Sequence, residues 1–75
     1  MNLRATSSSL PALRFGSSGD AVRVLQKLLL SNGYSVRLDG NFAALTETAV
    51  KAFQDQRNLT VDGVVGSRTW RELTR

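Results

Sequence analysis

Apolar residues recur at helical spacing early in the chain. Val22, Leu25 and Leu29 fall on one face, whereas Arg23 marks the solvated side. This pattern predicts a helix over about 20–31 with one face packed inward.

Two later segments show the same periodicity. Ala49 and Phe53 belong to the inward face of a second helix, predicted over about 44–57. Trp70 shares a face with the leucine three residues later, which predicts a short helix over about 67–74. We therefore predict an all-α fold, a compact three-helix bundle with long connecting loops and little regular sheet.

Residues suited to helix ends flank these segments. Residues 17–20 read Ser-Ser-Gly-Asp and offer N-cap chemistry, with Gly19 at the entry to the first helix. Gly33 and Asn58 are suited to the left-handed position that closes a helix. These residues support the predicted start of the first helix and the predicted ends of the first two.

The first residues differ from the rest in composition. Residues 1–12 contain a serine run and one proline without apolar periodicity, so we expect a disordered leader or linker. No apolar run long enough for a signal peptide or a membrane span follows Arg4. We expect the folded domain to occupy residues 13–75.

Composition limits the chemistry. The 75 residues include no Cys and no His, which removes disulfides, thiolate nucleophiles, the usual metal ligand and the commonest general base. We therefore expect no catalytic residue, no metal and no cofactor. The net charge of +4 favours anionic partners without choosing among them.

A short motif occurs twice. Residues 21–26 and 49–54 share the pattern A-V-basic-x-apolar-Q, and each copy is followed by an Asp-Gly turn and then a Thr seven residues after the Asp. Asp can bond backbone N–H groups ahead of it, and Gly permits positive φ. The repeated structural positions are Gln26 and Gln54, Asp39 and Asp62, Gly40 and Gly63, and Thr46 and Thr69.

These spaced anchors resemble those of the peptidoglycan-binding domain 1 family over about 13–73. Besides the repeated positions, the anchors include Gly16, Gly19, Gly66 and Trp70. Several anchors agree in order and interval, which is more specific than one short motif. One departure is visible, because Ala43-Ala44 stands where the family commonly has Gly-Pro, so the entry to the second helix is expected to differ slightly.

The resemblance implies a function and a setting. Such domains are usually appended to enzymes that cut or remodel the bacterial cell wall, and the domain itself only binds. It therefore implies peptidoglycan as the partner, through glycan strand or stem peptide, with no nucleic acid and no membrane span. An extracytoplasmic location, in periplasm or cell wall, follows from the resemblance alone, and we expect a monomer.

The best ligand-binding candidates lie in or beside the first long connection, where the two copies differ. They are Tyr34, Arg37, Asp39, Asn41 and Phe42, which would form a polar groove with an aromatic edge. Arg37 would meet a carboxylate through its planar fork, although a solvated arginine fits equally well. Asp39 suits either ligand binding or a purely local turn.

For other motif residues a structural role competes with a ligand-binding one. Gln26 and Gln54 suit bonds to loop backbone as well as to a ligand, and we favour the backbone. Asp62 favours a turn role, and Trp70 favours the core over a sugar-stacking surface.

An alternative class of function remains open at this point. Three short helices with excess positive charge also describe a nucleic-acid-binding domain. A recognition helix should concentrate basic residues on one face, whereas here they scatter from Arg4 to Arg75. Salt-sensitive duplex binding would favour this alternative.

Overall fold

A computed structural model describes residues 10–75. Its three helices are α1 (Asp20–Ser31), α2 (Ala44–Gln56) and α3 (Ser67–Leu73). These bounds confirm the predicted all-α fold. Within the described residues no strand forms, and extended backbone pairs only in two isolated bridges.

The start of α1 differs from the expectation. Gly19 is the N-cap residue with a φ of 114°, and no side chain caps the first turn. The Gly19 N–H instead donates to the carbonyl oxygen of Gly40 at 2.9 Å, and Ser17 Oγ accepts from the Arg14 N–H at 3.1 Å. The expected side-chain capping by residues 17–20 is therefore wrong, and the N-cap residue is held by a backbone contact with a distant turn.

The ends of α1 and α2 follow the prediction. Gly33 and Asn58 both have positive φ, at 90° and 58°. After α1, the Gly33 N–H donates to Leu30 and the Tyr34 N–H donates to Leu29, at 3.0 and 2.9 Å. The same pair of bonds recurs around Asn58, so both helices end in a Schellman motif that satisfies their last carbonyl groups.

One hydrophobic core joins the three helices. α1 contributes Val22, Leu25 and Leu29, and α2 contributes an inward face that includes Val50 and Phe53. The remaining core residues are Leu13, Phe42, Ala49, Val65, Trp70 and Leu73. The predicted inward faces of the helices are thus buried.

The segment before α1, residues 13–19, connects both Asp-Gly turns. Leu13 exchanges two backbone hydrogen bonds with Val65, at 2.8 and 3.2 Å. Further along, the Phe42 N–H donates to the Ser17 carbonyl oxygen and the Phe42 carbonyl oxygen accepts from the N–H of Gly16, both at 2.9 Å. This segment therefore links the chain at both turns by backbone hydrogen bonds.

Part of the predicted leader contacts the folded domain. Leu10 packs against the core, and the carbonyl oxygen of Pro11 accepts a hydrogen bond from Trp70 Nε1 at 2.8 Å. The rest of the predicted leader, residues 1–9, lies outside the described residues. Among residues 10–75, no helix has the length and apolar character needed to cross a bilayer.

Candidate functional site

Gln26 forms the centre of a hydrogen-bond network between α1 and the first Asp-Gly turn, residues 39–41. Its Oε1 accepts the N–H groups of Asp39 and Gly40 at 3.1 and 2.9 Å. Its Nε2 lies within 3.2 Å of Asp39 Oδ1, the carbonyl oxygen of Asn41 and Thr46 Oγ1. The Gln26 side chain is fully buried, so it connects α1, the turn and α2 from inside the protein.

Gln54 repeats this network with the second turn, residues 62–64. Its Oε1 accepts the N–H groups of Asp62 and Gly63 at 3.2 and 3.0 Å. Its Nε2 lies within 3.2 Å of Asp62 Oδ1, the carbonyl oxygen of Val64 and Thr69 Oγ1. In residues 10–75, no buried side-chain nitrogen or oxygen lacks a partner.

Both turn carboxylates have a lowered pKa. In Asp39 the main cause is the Asn41 N–H, which donates to Oδ1 at 2.9 Å, followed by the Gln26 amide. In Asp62 the N–H of Val64, also at 2.9 Å, is the main cause. Bonds that favour the charged form lower a carboxyl pKa, so both turns are built around an ionised Asp.

A basic side chain lies against each turn glycine. Gly40 and Gly63 have φ values of 75° and 74°. A Cβ added at Gly40 would stand 2.9 Å from Arg23 Nε, and one at Gly63 would stand 3.1 Å from Lys51 Cε. Both positions therefore favour glycine for its backbone freedom and for the space it leaves to the basic residue of the motif.

A cleft of about 410 Å³ opens beside the first turn. Its lining combines Arg37, Asp39 and Asn41 of the first connection with residues 43–46 at the start of α2. Ala43, Ala44 and Leu45 supply the apolar part of that lining. We call this space the first cleft.

A second cleft, of about 300 Å³, lies beside the second turn. Every residue of the first cleft has a counterpart here 23 positions later, so Asp62 and Thr69 match Asp39 and Thr46. Gln54 and Leu59 complete its lining. The duplication thus produces two clefts of the same plan.

The polar residues of the two clefts differ. Arg37 and Asn41 of the first cleft are replaced in the second by Thr60 and Val64, and Leu45 is replaced by Arg68. The cation that lines the cleft therefore comes from the connecting loop in the first cleft and from α3 in the second.

The structure brings together three of the five predicted ligand-binding residues. Arg37, Asp39 and Asn41 line the first cleft. Phe42 is only 2% exposed and belongs to the core, so it supports the first connection from inside and offers no aromatic edge. Tyr34 is half-buried and packs edge-on against Phe53, with ring centroids 5.9 Å apart, away from the cleft lining.

The alanine pair that departs from the family pattern lines the first cleft. Ala43 is extended, with a φ of −122°, so the missing glycine causes no backbone strain. Sequence reasoning did not identify Ala43, Ala44 and Leu45 as lining residues. The sequence signal that could have identified them is the 23-residue interval between the two Asp-Gly turns, which matches residues 43–45 with residues 66–68.

Comparison with known proteins agrees with this architecture. Residues 18–73 match the sequence profile of the peptidoglycan binding domain family. The chain is 36% identical over 73 residues to the N-acetylmuramoyl-L-alanine amidase CwlL of Bacillus licheniformis, covering 93% of this chain and 20% of the amidase.

Two solved structures share the fold. The SleB N-terminal domain superposes with a TM-score of 0.83 at 37% identity, covering 88% of this chain and 92% of that domain. A peptidoglycan-binding protein from Clostridioides difficile, in complex with glutamine hydroxamate, gives a TM-score of 0.86 at 38% identity, covering 88% and 42% of the two chains.

The fold and the sequence profile define the class of this protein as a small helical binding module. The chain belongs to the peptidoglycan binding domain family. It spans 12% to 58% of the length of the curated relatives it matches.

Proposed function

We propose that this domain binds bacterial peptidoglycan through the first cleft, as a monomer and without catalysis. The observation that carries the proposal is the cleft itself, which a member of this family lines with Arg37, Asp39 and Asn41 together with small apolar residues. Small-molecule sites commonly combine apolar walls with a few fixed polar groups. The family match favours this partner over the alternative of nucleic-acid binding.

The proposed role of binding is to hold a wall-remodelling activity at its polymeric substrate. One relative of this chain is an amidase, and the segment that matches this chain makes up 20% of its length. Tethering a binding module to a catalytic unit raises the effective concentration of that unit at the surface it binds. The setting we propose is therefore extracytoplasmic, at the cell wall or in the periplasm.

Co-sedimentation with purified sacculi tests both the partner and the site. Wild-type protein should pellet with sacculi at low and moderate salt. Ala44→Glu should lose most of this retention, because the new side chain fills the first cleft and adds a negative charge. Ala52 is an exposed alanine of the same helix outside the cleft lining, so Ala52→Glu should behave as wild type.

The outcomes separate the two parts of the proposal. Folded wild-type protein that stays in the supernatant at both salt concentrations would contradict peptidoglycan binding. Equal retention of the Ala44→Glu and Ala52→Glu proteins would leave the partner in place and exclude the first cleft.

A further inference from the structure

The aromatic residues of this chain are placed where they cannot stack on a sugar in the first cleft. There are five of them in all. Phe42, Phe53 and Trp70 are at most 2% exposed, and Tyr34 is half-buried with its ring against Phe53. Phe15 is 58% exposed but does not line the cleft.

This placement bears on the part of peptidoglycan that the cleft would recognise. A sugar ring exposes C–H groups on its faces, and flat aromatic faces pack well against such groups. The lining of the first cleft includes no aromatic side chain. A glycan strand would therefore meet only hydrogen-bonding groups and aliphatic side chains there.

The groups that the cleft does supply fit a different ligand. Arg37 is exposed and, within residues 10–75, no carboxylate lies within 4.0 Å of its guanidinium. Guanidinium groups bind carboxylates through two parallel N–H donors. Ala43, Ala44 and the half-exposed Leu45 line the same cleft with apolar surface, which suits a small aliphatic side chain.

Asp39 lies close enough for the Arg37 charge to contribute to its lowered pKa, but within residues 10–75 the two side chains form no ion pair within 4.0 Å. The Asp39 Oδ1 accepts hydrogen bonds from the Gln26 amide and the Asn41 N–H. The Asn41 side chain lines the same cleft as Arg37 and provides an amide donor and acceptor for a peptide group. The cleft thus presents a cation, an amide and a small apolar surface together.

We infer that the first cleft takes the carboxylate-bearing end of a peptidoglycan stem peptide, with Arg37 on the carboxylate and residues 43–45 against an alanine-sized side chain. This inference rests on the proposed function and narrows it. The second cleft lacks the arrangement, because Thr60 and Val64 stand in place of Arg37 and Asn41.

Sacculi with and without stem peptides distinguish the two kinds of epitope. One preparation is left intact, and a second is treated with an amidase that removes the peptides from the glycan. The domain should pellet with intact sacculi and lose at least about tenfold in apparent affinity for the stripped glycan, as expected when a charged contact is lost.

Soluble peptides supply the direct measurement. The tetrapeptide L-alanyl-γ-D-glutamyl-L-lysyl-D-alanine should compete with intact sacculi and shift the amide resonances of residues 37–46. The same peptide with an amidated C-terminus should compete about tenfold less well, because it lacks the terminal carboxylate.

Two arginine variants complete the design. Arg37→Ala should weaken binding to intact sacculi about tenfold and abolish the preference for the free carboxylate. Arg71 is exposed on α3 and lines neither cleft, so Arg71→Ala makes the same change in net charge and should bind as wild type.

Each contrary result has a distinct meaning. Equal retention on intact and stripped sacculi would overturn the stem-peptide inference while leaving peptidoglycan binding in place. Absence of retention on both preparations would contradict the proposed function itself. An equal loss of binding in the two arginine variants would show that Arg37 acts only through the net positive charge of the domain. That result would overturn its assigned contact with the carboxylate.

Discussion

At the scale of single residues, two buried glutamines make more hydrogen bonds than any other side chain among residues 10–75. Gln26 and Gln54 are at most 1% exposed, and each joins one helix to an Asp-Gly turn and to the Thr of the next helix. An amide is suited to this position because it donates and accepts at the same end. Glutamate in the same shape would have no N–H to donate.

Gln54→Ala should therefore destabilise the fold strongly. The N–H groups of Asp62 and Gly63 would lose their acceptor inside the protein, and each buried unsatisfied group costs about 1–3 kcal/mol. We expect the free energy of unfolding, measured with urea, to fall by about 3 kcal/mol.

Gln56→Ala is the matched control, because Gln56 is an exposed glutamine at the end of the same helix. Its effect should stay within about 0.5 kcal/mol. Similar losses in both variants would contradict the role of the Gln54 network.

The lowered pKa values of Asp39 and Asp62 predict acid sensitivity. A carboxyl group with a lower pKa in the folded state contributes stability that is complete above its ordinary value of 3.8 and is lost as the pH falls through the folded-state value. The free energy of unfolding should therefore decline as the pH falls from the ordinary pKa of 3.8 towards the lowered folded-state pKa of these carboxyl groups.

The double variant Asp39→Asn, Asp62→Asn tests the origin of this decline. Asparagine retains an oxygen that accepts the same turn N–H but carries no titrating charge. Urea titrations at a series of acidic pH values should show a flatter pH dependence than in the wild type. An unchanged slope would assign the acid sensitivity to other groups.

At the scale of elements, the bounds of the helices were readable from the sequence, but the contact that fixes the start of α1 was not. Gly33 and Asn58 close their helices through contacts between residues three and five positions apart, which local residue choice can specify. The start of α1 depends on Gly40, twenty-one positions after Gly19. No local signal predicts such a partner.

Gly33→Ala should lower the unfolding free energy by about 1 kcal/mol, because a Cβ is unfavourable in the left-handed conformation. The position has open space around it and a φ of 90°, so the expected cost comes from the backbone. Urea unfolding measures it directly.

Gly66→Ala provides the comparison, since Gly66 also has open space around it but a φ of −95°. That variant should lose less stability than Gly33→Ala, because the extended backbone at this N-cap position accommodates a Cβ without strain. Equal destabilisation by both substitutions would contradict the conformational explanation.

At the scale of the whole molecule, the N-terminal segment completes the domain. Leu13 pairs with Val65, and Pro11 accepts a bond from Trp70. α3 has only seven residues, which is too short to be stable alone. Its position therefore depends on contacts with chain that lies more than fifty residues earlier.

Trp70→Phe should test this closure. The variant removes the Nε1 donor to Pro11 and part of a fully buried ring, for an expected loss of about 2 kcal/mol. In a domain of this size such a loss lowers Tm by roughly 8–16 °C, which a thermal melt followed by circular dichroism would detect.

Tyr34→Phe is the control for a general effect of aromatic substitution. Its ring can keep the edge-on contact with Phe53, so Tm should change little. A comparable fall in both proteins would argue against a specific contribution from the Trp70 hydrogen bond.

The sequence by itself determined the three helices, the two left-handed helix ends and the duplicated turns. Each of these depends on residue periodicity or on contacts between close neighbours, and both are written directly in the residue order. The matched Gln and Asp-Gly positions also follow from the repeat, because both copies use the same hydrogen bonds between the glutamine and the turn.

Only the tertiary structure decided which side of the first connection faces solvent. Phe42 and Arg37 lie in the same loop, yet Phe42 enters the core and Arg37 lines a cleft with residues 43–46. An irregular connection has no period from which to derive an inward face, so its burial is set by the helices around it. The same packing formed the second cleft and paired residues 13–19 with both turns, through contacts that no local pattern contains.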